Sequence, residues 1–157
     1  STFDSDLSFQ VVSLFSVVSW RHIVSAVYRA LRAFRDGNNV CDRVEVESLL
    51  YLSGRRQISE SIEAVGIGES VDSLILIVFG VGEAAVYDGL MRFLGRFDGV
   101  VDMDLLFPRS DLCFEHLRRV FKVSDDEISC LFKRGFDKWR VLEFILIERG
   151  ALVDVLK

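Results

Sequence analysis

Six consecutive apolar residues, Leu74-Ile75-Leu76-Ile77-Val78-Phe79, run straight into Gly80-Val81-Gly82. The run is too short for a buried helix, rich in β-branched residues and bounded by glycine, so it reads as a strand covered on both faces at the centre of a sheet. A helical period follows from Glu83 to Phe97. A strand that must be covered, with a helix directly behind it, commits the chain to a mixed α and β architecture. It is also the longest apolar run in the chain, far below the roughly 20 residues of a membrane span, so no membrane partner is expected.

The remaining pattern fits that frame. Leu7 to Val11 alternates like a half-buried strand, and Trp20 to Arg35 has the helical period. Gly37-Asn38-Asn39 marks a turn, Val44 to Leu52 a second helix closed by Gly54, and Gln57 to Val65 a third that stops at Gly66. Val101, Met103 and Leu105 alternate with Asp102 and Asp104 and suggest an extended edge. Beyond Pro108 the spacing predicts helices over Asp111 to Phe121, over Asp125 to Phe132 behind a Ser124 cap, and over Phe136 to Glu148. The fold class is α+β: a small, largely antiparallel or mixed sheet packed with several helices. One domain spans residues 1–157, with a helical C-terminal section, and a chain of that length buries about two thirds of its unfolded surface.

Fifty per cent hydrophobic residues with a single proline exclude a disordered or collagen-like chain. No secretory signal is visible at the start, and Cys41, Cys113 and Cys130, odd in number and in no paired spacing, read as reduced thiols of an intracellular protein. The net charge of -5 is unevenly spread: residues 20–57 hold seven arginines against four acids, residues 58–107 two arginines against nine acids. An acidic chain is no general coat for nucleic acid, but a local basic patch can hold a few phosphates.

On the Trp20 to Arg35 helix, Ile23, Val27, Ala30, Leu31 and Phe34 share the expected core face, and Arg21, Ser25, Tyr28, Arg32 and Arg35 share the opposite one. Arginine interleaved with tyrosine suits phosphates and the bases of single-stranded RNA; a solvated charged face is the bland alternative. Arg55 and Arg56 stand just before the third helix, where unpaired N–H groups already carry partial positive charge. With Gln57 they compose a candidate phosphate site, or else they extend into water, where the repulsion is screened.

Signals for chemistry are thinner. Gly80-Val81-Gly82-Glu83-Ala84-Ala85 matches the G-x-G-x-x-G/A dinucleotide pattern between a strand and a helix, but Glu83 sets a carboxylate where a pyrophosphate would dock. A tight turn that needs glycine is the simpler reading. Cys113 and His116 are half of a metal site with no second half, and neither histidine belongs to a nucleophile–base arrangement. Asp125-Asp126-Glu127 fits the first turn of a helix better than a magnesium site. No cofactor, metal or catalytic residue is expected.

Leu49-Leu50-Tyr51-Leu52-Ser53-Gly54-Arg55-Arg56-Gln57-Ile58, with Ala64-Val65-Gly66-Ile67 after it, resembles the signature block of the PRPK-binding subunit of the KEOPS complex, the TPRKB family. Arg21-His22, Asn38-Asn39-Val40 and Ile147-Glu148-Arg149-Gly150-Ala151-Leu152 are similar to that family too. The resemblance implies a non-catalytic accessory protein with a small α/β fold. It implies binding to the amino-terminal lobe of the KEOPS kinase-like ATPase and presentation of tRNA, through its 3′ CCA end, for threonylcarbamoyl modification of adenosine. It implies a cytoplasmic protein, also nuclear in a eukaryote. Arg56, Gln57 and Ile58 match the motif directly, Arg55 less so. The RNA-binding candidates are therefore Arg21, Tyr28, Arg32, Arg35, Arg55, Arg56 and Gln57. A nucleotide-dependent enzyme using Gly80 and Gly82, and an adaptor that touches no RNA, are the competing readings.

The last helix carries more apolar surface than one core stripe needs. Trp139, Leu142, Ile145 and Leu146 suffice for the core, so Val141, Phe144 and Ile147 are the expected kinase-facing patch.

Overall fold

Ser8–Ser13 (β1) and Leu74–Phe79 (β2) pair antiparallel, with Ser8 opposite Phe79 and Ser13 opposite Leu74. The computed structural model describes residues 7–102, 107–132 and 134–156. Within them the sheet has these two strands, so β2 is not the centre of a wider sheet, and only Ile75 and Phe79 along it are fully buried. An apolar run reports that both faces lose water without saying what covers them. Here Glu83–Leu94 (α4) folds back on one face, where Phe93 stacks on Phe9 with centroids 5.4 Å apart, and the helical core takes the other through Val12 and Ile75.

That core is assembled by Trp20–Asp36 (α1), Val44–Ser53 (α2) and Lys138–Val155 (α7), which pack on one another. Eight of the ten residues of α2 are buried, so this short helix is the centre of the domain. Its Glu47 is completely enclosed, and its carboxylate accepts from the backbone N–H groups of Val40, at 3.0 Å, and Cys41, at 2.8 Å. A buried carboxylate supplied with donors in this way fixes the turn that leads into α2.

The buried side of α1 is His22, Ile23, Ala26, Ala30 and Ala33. Leu31, expected in the core, is exposed, because three alanines let α2 approach closely and rotate the contact face away from the larger side chains. Helix α7 begins behind Asp137, whose carboxylate accepts from the N–H groups of Trp139 and Arg140, and it continues well past Glu148. Val141, expected on a partner-facing patch, has no exposed surface and sits in the core with Leu142 and Leu146. The helix is sandwiched between α1 and α2 on one side and the helices Asp111–Phe121 (α5) and Asp125–Phe132 (α6) on another, which uses up the additional apolar direction.

The shorter helices are Ile58–Val65 (α3), Asp111–Phe121 (α5) and Asp125–Phe132 (α6). At the start of α6 the Glu127 N–H donates to the Ser124 hydroxyl at 3.2 Å, and the Ser124 N–H donates back to the Glu127 carboxylate at 2.8 Å. The Ser124 cap is as expected, and the structure adds its reciprocal half from Glu127. Val101 and Asp102 lie outside regular structure, and Met103 and Leu105 of the expected extended edge lie outside the described residues. No helix among the described residues is long and apolar enough to cross a membrane.

Candidate functional site

Three of the sequence blocks singled out above converge inside the fold. His22 donates from Nε2 to the carbonyl of Leu52 at 2.8 Å, a direction fixed because its Nδ1 accepts from the Val18 N–H at 3.4 Å. A Cβ on Gly54 would stand 2.9 Å from the Cβ of Arg149, and one on Gly150 would stand 2.5 Å from the carbonyl oxygen of Tyr51. Where α2 crosses α7, the two backbones therefore touch through glycine. Burial drops the pKa of His22 to about 4, so the ring is neutral near pH 7 and serves as a joint between α1 and α2. These contacts hold the fold together, while Arg56, Gln57 and Ile58 of the same block are exposed.

The expected RNA-binding residues are divided by the structure. Arg21, Tyr28, Arg32 and Arg35 stand on the outer side of α1. Arg21 pairs with Glu143 at 3.4 Å, Arg32 with Asp154 at 3.0 Å, and Arg35 with its neighbour Asp36 at 2.8 Å. The hydrogen bond from Arg35 holds the Asp36 carboxyl below the usual carboxylate range. Arg56 and Gln57 are exposed before α3, and Arg56 makes no ion pair or hydrogen bond among the described residues. Arg55 corrects the expectation of an exposed pair. Its side chain turns inward and donates to the carbonyl of Val120 at 3.1 Å, at the C-terminal end of α5, where carbonyl groups without helical partners favour a cation.

A surface feature accompanies the arginines on α1. Trp20, Val24, Tyr28 and Leu31 are 52%, 63%, 59% and 50% exposed. At 100° per residue the four fall within about 80° of arc, a second apolar stripe opposite the core face. Their spacing was visible in the sequence, hidden because Leu31 suits a core stripe equally well. Helix α7 extends this surface. Eleven residues separate Arg21 from Arg32 on α1, and eleven separate their partners Glu143 and Asp154 on α7, so the two helices run side by side in the same direction. Asp154 also accepts from Arg29 at 3.0 Å and from the Tyr51 hydroxyl at 2.7 Å, tying α1, α2 and α7 together at one end. Along the α7 half, Phe144 is exposed, with Phe136 edge-on to it and the Arg140 guanidinium over its ring at 5.0 Å, while Ile147 is half-buried.

The glycine turn has local reasons for its composition. A Cβ on Gly80 would collide with the Leu7 and Val86 side chains, and Gly82 has φ +89. Its strand belongs to an antiparallel pair instead of a parallel βαβ unit, so the topology that gives the dinucleotide pattern its meaning is missing among the described residues. His116 accepts from Arg119 at 3.4 Å, and burial together with that guanidinium lowers its pKa. Among the described residues no group of His, Cys, Asp and Glu side chains is placed to hold a metal ion.

An α+β domain with a solvent-facing apolar stripe, framed by arginines and set on two parallel helices, defines a docking protein. Residues 3–134 match the family model described as kinase binding protein CGI-121, and the chain belongs to this family of kinase-binding proteins. No curated protein matches it.

Proposed function

We propose that the protein is the KEOPS accessory subunit that binds the kinase-like ATPase of PRPK type and recruits tRNA through its 3′ CCA end for threonylcarbamoyl-adenosine formation, itself catalysing no step. The observation that carries the reading is the α1 stripe of Trp20, Val24, Tyr28 and Leu31 in a chain of the kinase-binding family. Large side chains half out of water on one helix face favour a covering partner, each returning apolar area at about 25 cal/mol per Å² when covered. The kinase docks on the outer face of α1, with Phe144 of α7 at its margin. Ile147, half-buried, supports that margin from beneath, and Val141 takes no part.

The RNA part rests on exposed Arg56 and Gln57 and on the arginine row of α1. It is cytoplasmic chemistry, extending to the nucleus in a eukaryote. Isothermal titration of the purified protein against the kinase-like subunit, and gel shift of tRNA with and without its terminal CCA, test the two parts separately. Binding to the kinase and preference for the CCA-bearing tRNA are expected. Silence in the titration removes the first part, and equal shifts of both tRNAs remove the second.

A further inference from the structure

Between the N-terminal ends of α1 and α7 lies a cleft of about 340 Å³, lined by Arg21, Arg109, Asp137, Trp139, Arg140 and Glu143. Three positive charges against two negative make it locally basic in a chain of net charge -5. Both carboxylates are already committed to the protein. Asp137 caps α7, and Glu143 is buried between two guanidiniums, Arg21 at 3.4 Å and Arg140 at 3.7 Å. These contacts are longer than the roughly 2.7–2.9 Å of a strong charge-assisted bond, so both arginines keep donors for a better placed anion. Arg109 makes no ion pair among the described residues. Its guanidinium lies 4.7 Å from the centroid of the half-buried Trp139 ring, which Phe114 braces edge-on at 5.2 Å. Phosphate donors and a stacked aromatic–guanidinium pair thus share one opening.

We propose that this cleft binds a nucleotide, its phosphate between Arg21 and Arg140 and its base stacked on the Trp139–Arg109 pair. The inference rests on the RNA part of the proposed function and deepens it. The end of a single-stranded RNA is the source of nucleotide which that function supplies, and a free nucleoside monophosphate is the other. None of Arg109, Trp139 and Arg140 belongs to the signature blocks, and the sequence places Arg109 and Trp139 thirty residues apart, so their convergence was not legible before folding.

The test uses full-length protein carrying Trp20→Phe, in which Trp139 is the remaining tryptophan, titrated with a short single-stranded RNA, with CMP and with a polyglutamate peptide. RNA quenching Trp139 is expected. Arg109→Ala and Arg140→Ala should each weaken RNA binding about tenfold, and Arg140→Ala should also flatten its salt dependence by about 0.7 for the lost phosphate contact, with thermal stability unchanged in Arg109→Ala. Glu143→Gln should tighten binding, because it releases two guanidiniums; a purely structural Glu143 would not do that. If Glu143→Gln fails to fold, Arg109→Ala carries the test. Quenching by CMP with no RNA binding keeps the cleft as a free-nucleotide site and removes the RNA reading. RNA that binds without quenching and equally well to both arginine variants overturns the cleft and leaves that reading standing. Absence of quenching by RNA and CMP, or equal quenching by polyglutamate, overturns the cleft as a nucleotide site.

Discussion

The Arg55 guanidinium and the Val120 carbonyl, 3.1 Å apart, join the loop after α2 to the last turn of α5. Arg149 reaches the same helix end from α7, donating to the carbonyl of Phe121 and, at 2.7 Å, to the Glu127 carboxylate. Two arginines thus satisfy carbonyls that no helical N–H can reach. Arg55→Ala should lower unfolding free energy by about 1–2 kcal/mol in a denaturant titration. Arg56→Ala should leave stability within about 0.5 kcal/mol and should instead weaken tRNA binding. An Arg55 variant as stable as wild type would refute the structural role.

The α2–α7 crossing admits no side chain at Gly150. Gly150→Ala drives a methyl group into the Tyr51 carbonyl oxygen, 2.5 Å away, and the two helices must separate. Such overpacking costs about 1–3 kcal/mol, so a clear fall in melting temperature is expected. Gly37→Ala is the control for positive φ alone, since that glycine has φ +69 and open space around its Cβ. It should cost less than Gly150→Ala.

His22 makes stability depend on pH in a definite direction. Its folded pKa of about 4 lies below the unfolded value of 6.5, so the unfolded chain binds the additional proton. Stability is full above pH 6.5 and falls by about 1.4 kcal/mol per pH unit between 6.5 and about 4. His22→Gln should be less stable at pH 7 but flatter across that window. Melting curves at a series of pH values in both proteins check it; parallel slopes would reject the assignment.

Val24 and Val141 offer the sharpest contrast between surface and core. Val24→Asp on the exposed stripe should abolish kinase binding while shifting stability by under about 1 kcal/mol. Val141→Asp buries an unpaired charge and should unfold the protein. A Val24→Asp protein that still binds the kinase would move the docking site off α1.

Local signals carried most of the fold. Ser124 with Glu127, Gly54 after α2 and the apolar β2 run each announced an element whose interactions lie within a few residues or within one strand. Failures came where a residue's environment is set by distant chain. Val141 and Phe144 look alike on the helical wheel, and only packing against α1, α2, α5 and α6 decides that the first is core and the second surface. Leu31 fits either stripe of α1, and the alanines opposite it decide. Arg55 and Arg56 are neighbours of one type, yet the end of α5, 65 residues beyond Arg55, captures only the first. The basic cleft was illegible for the same reason, since Arg21, Arg109 and Arg140 come from three separate parts of the chain.

Two helices joined by ion pairs at equal eleven-residue intervals also have an electrical direction. Antiparallel neighbours would cancel their dipoles, whereas α1 and α7, parallel, add theirs, each carrying roughly half a positive charge at its first turn. Both first turns open at the Arg21–Arg140 end of the face, and both last turns lie at the Arg32–Asp154 end. A partner or a strand of RNA laid along this face therefore meets a potential that falls from one end to the other, and has one favoured way round.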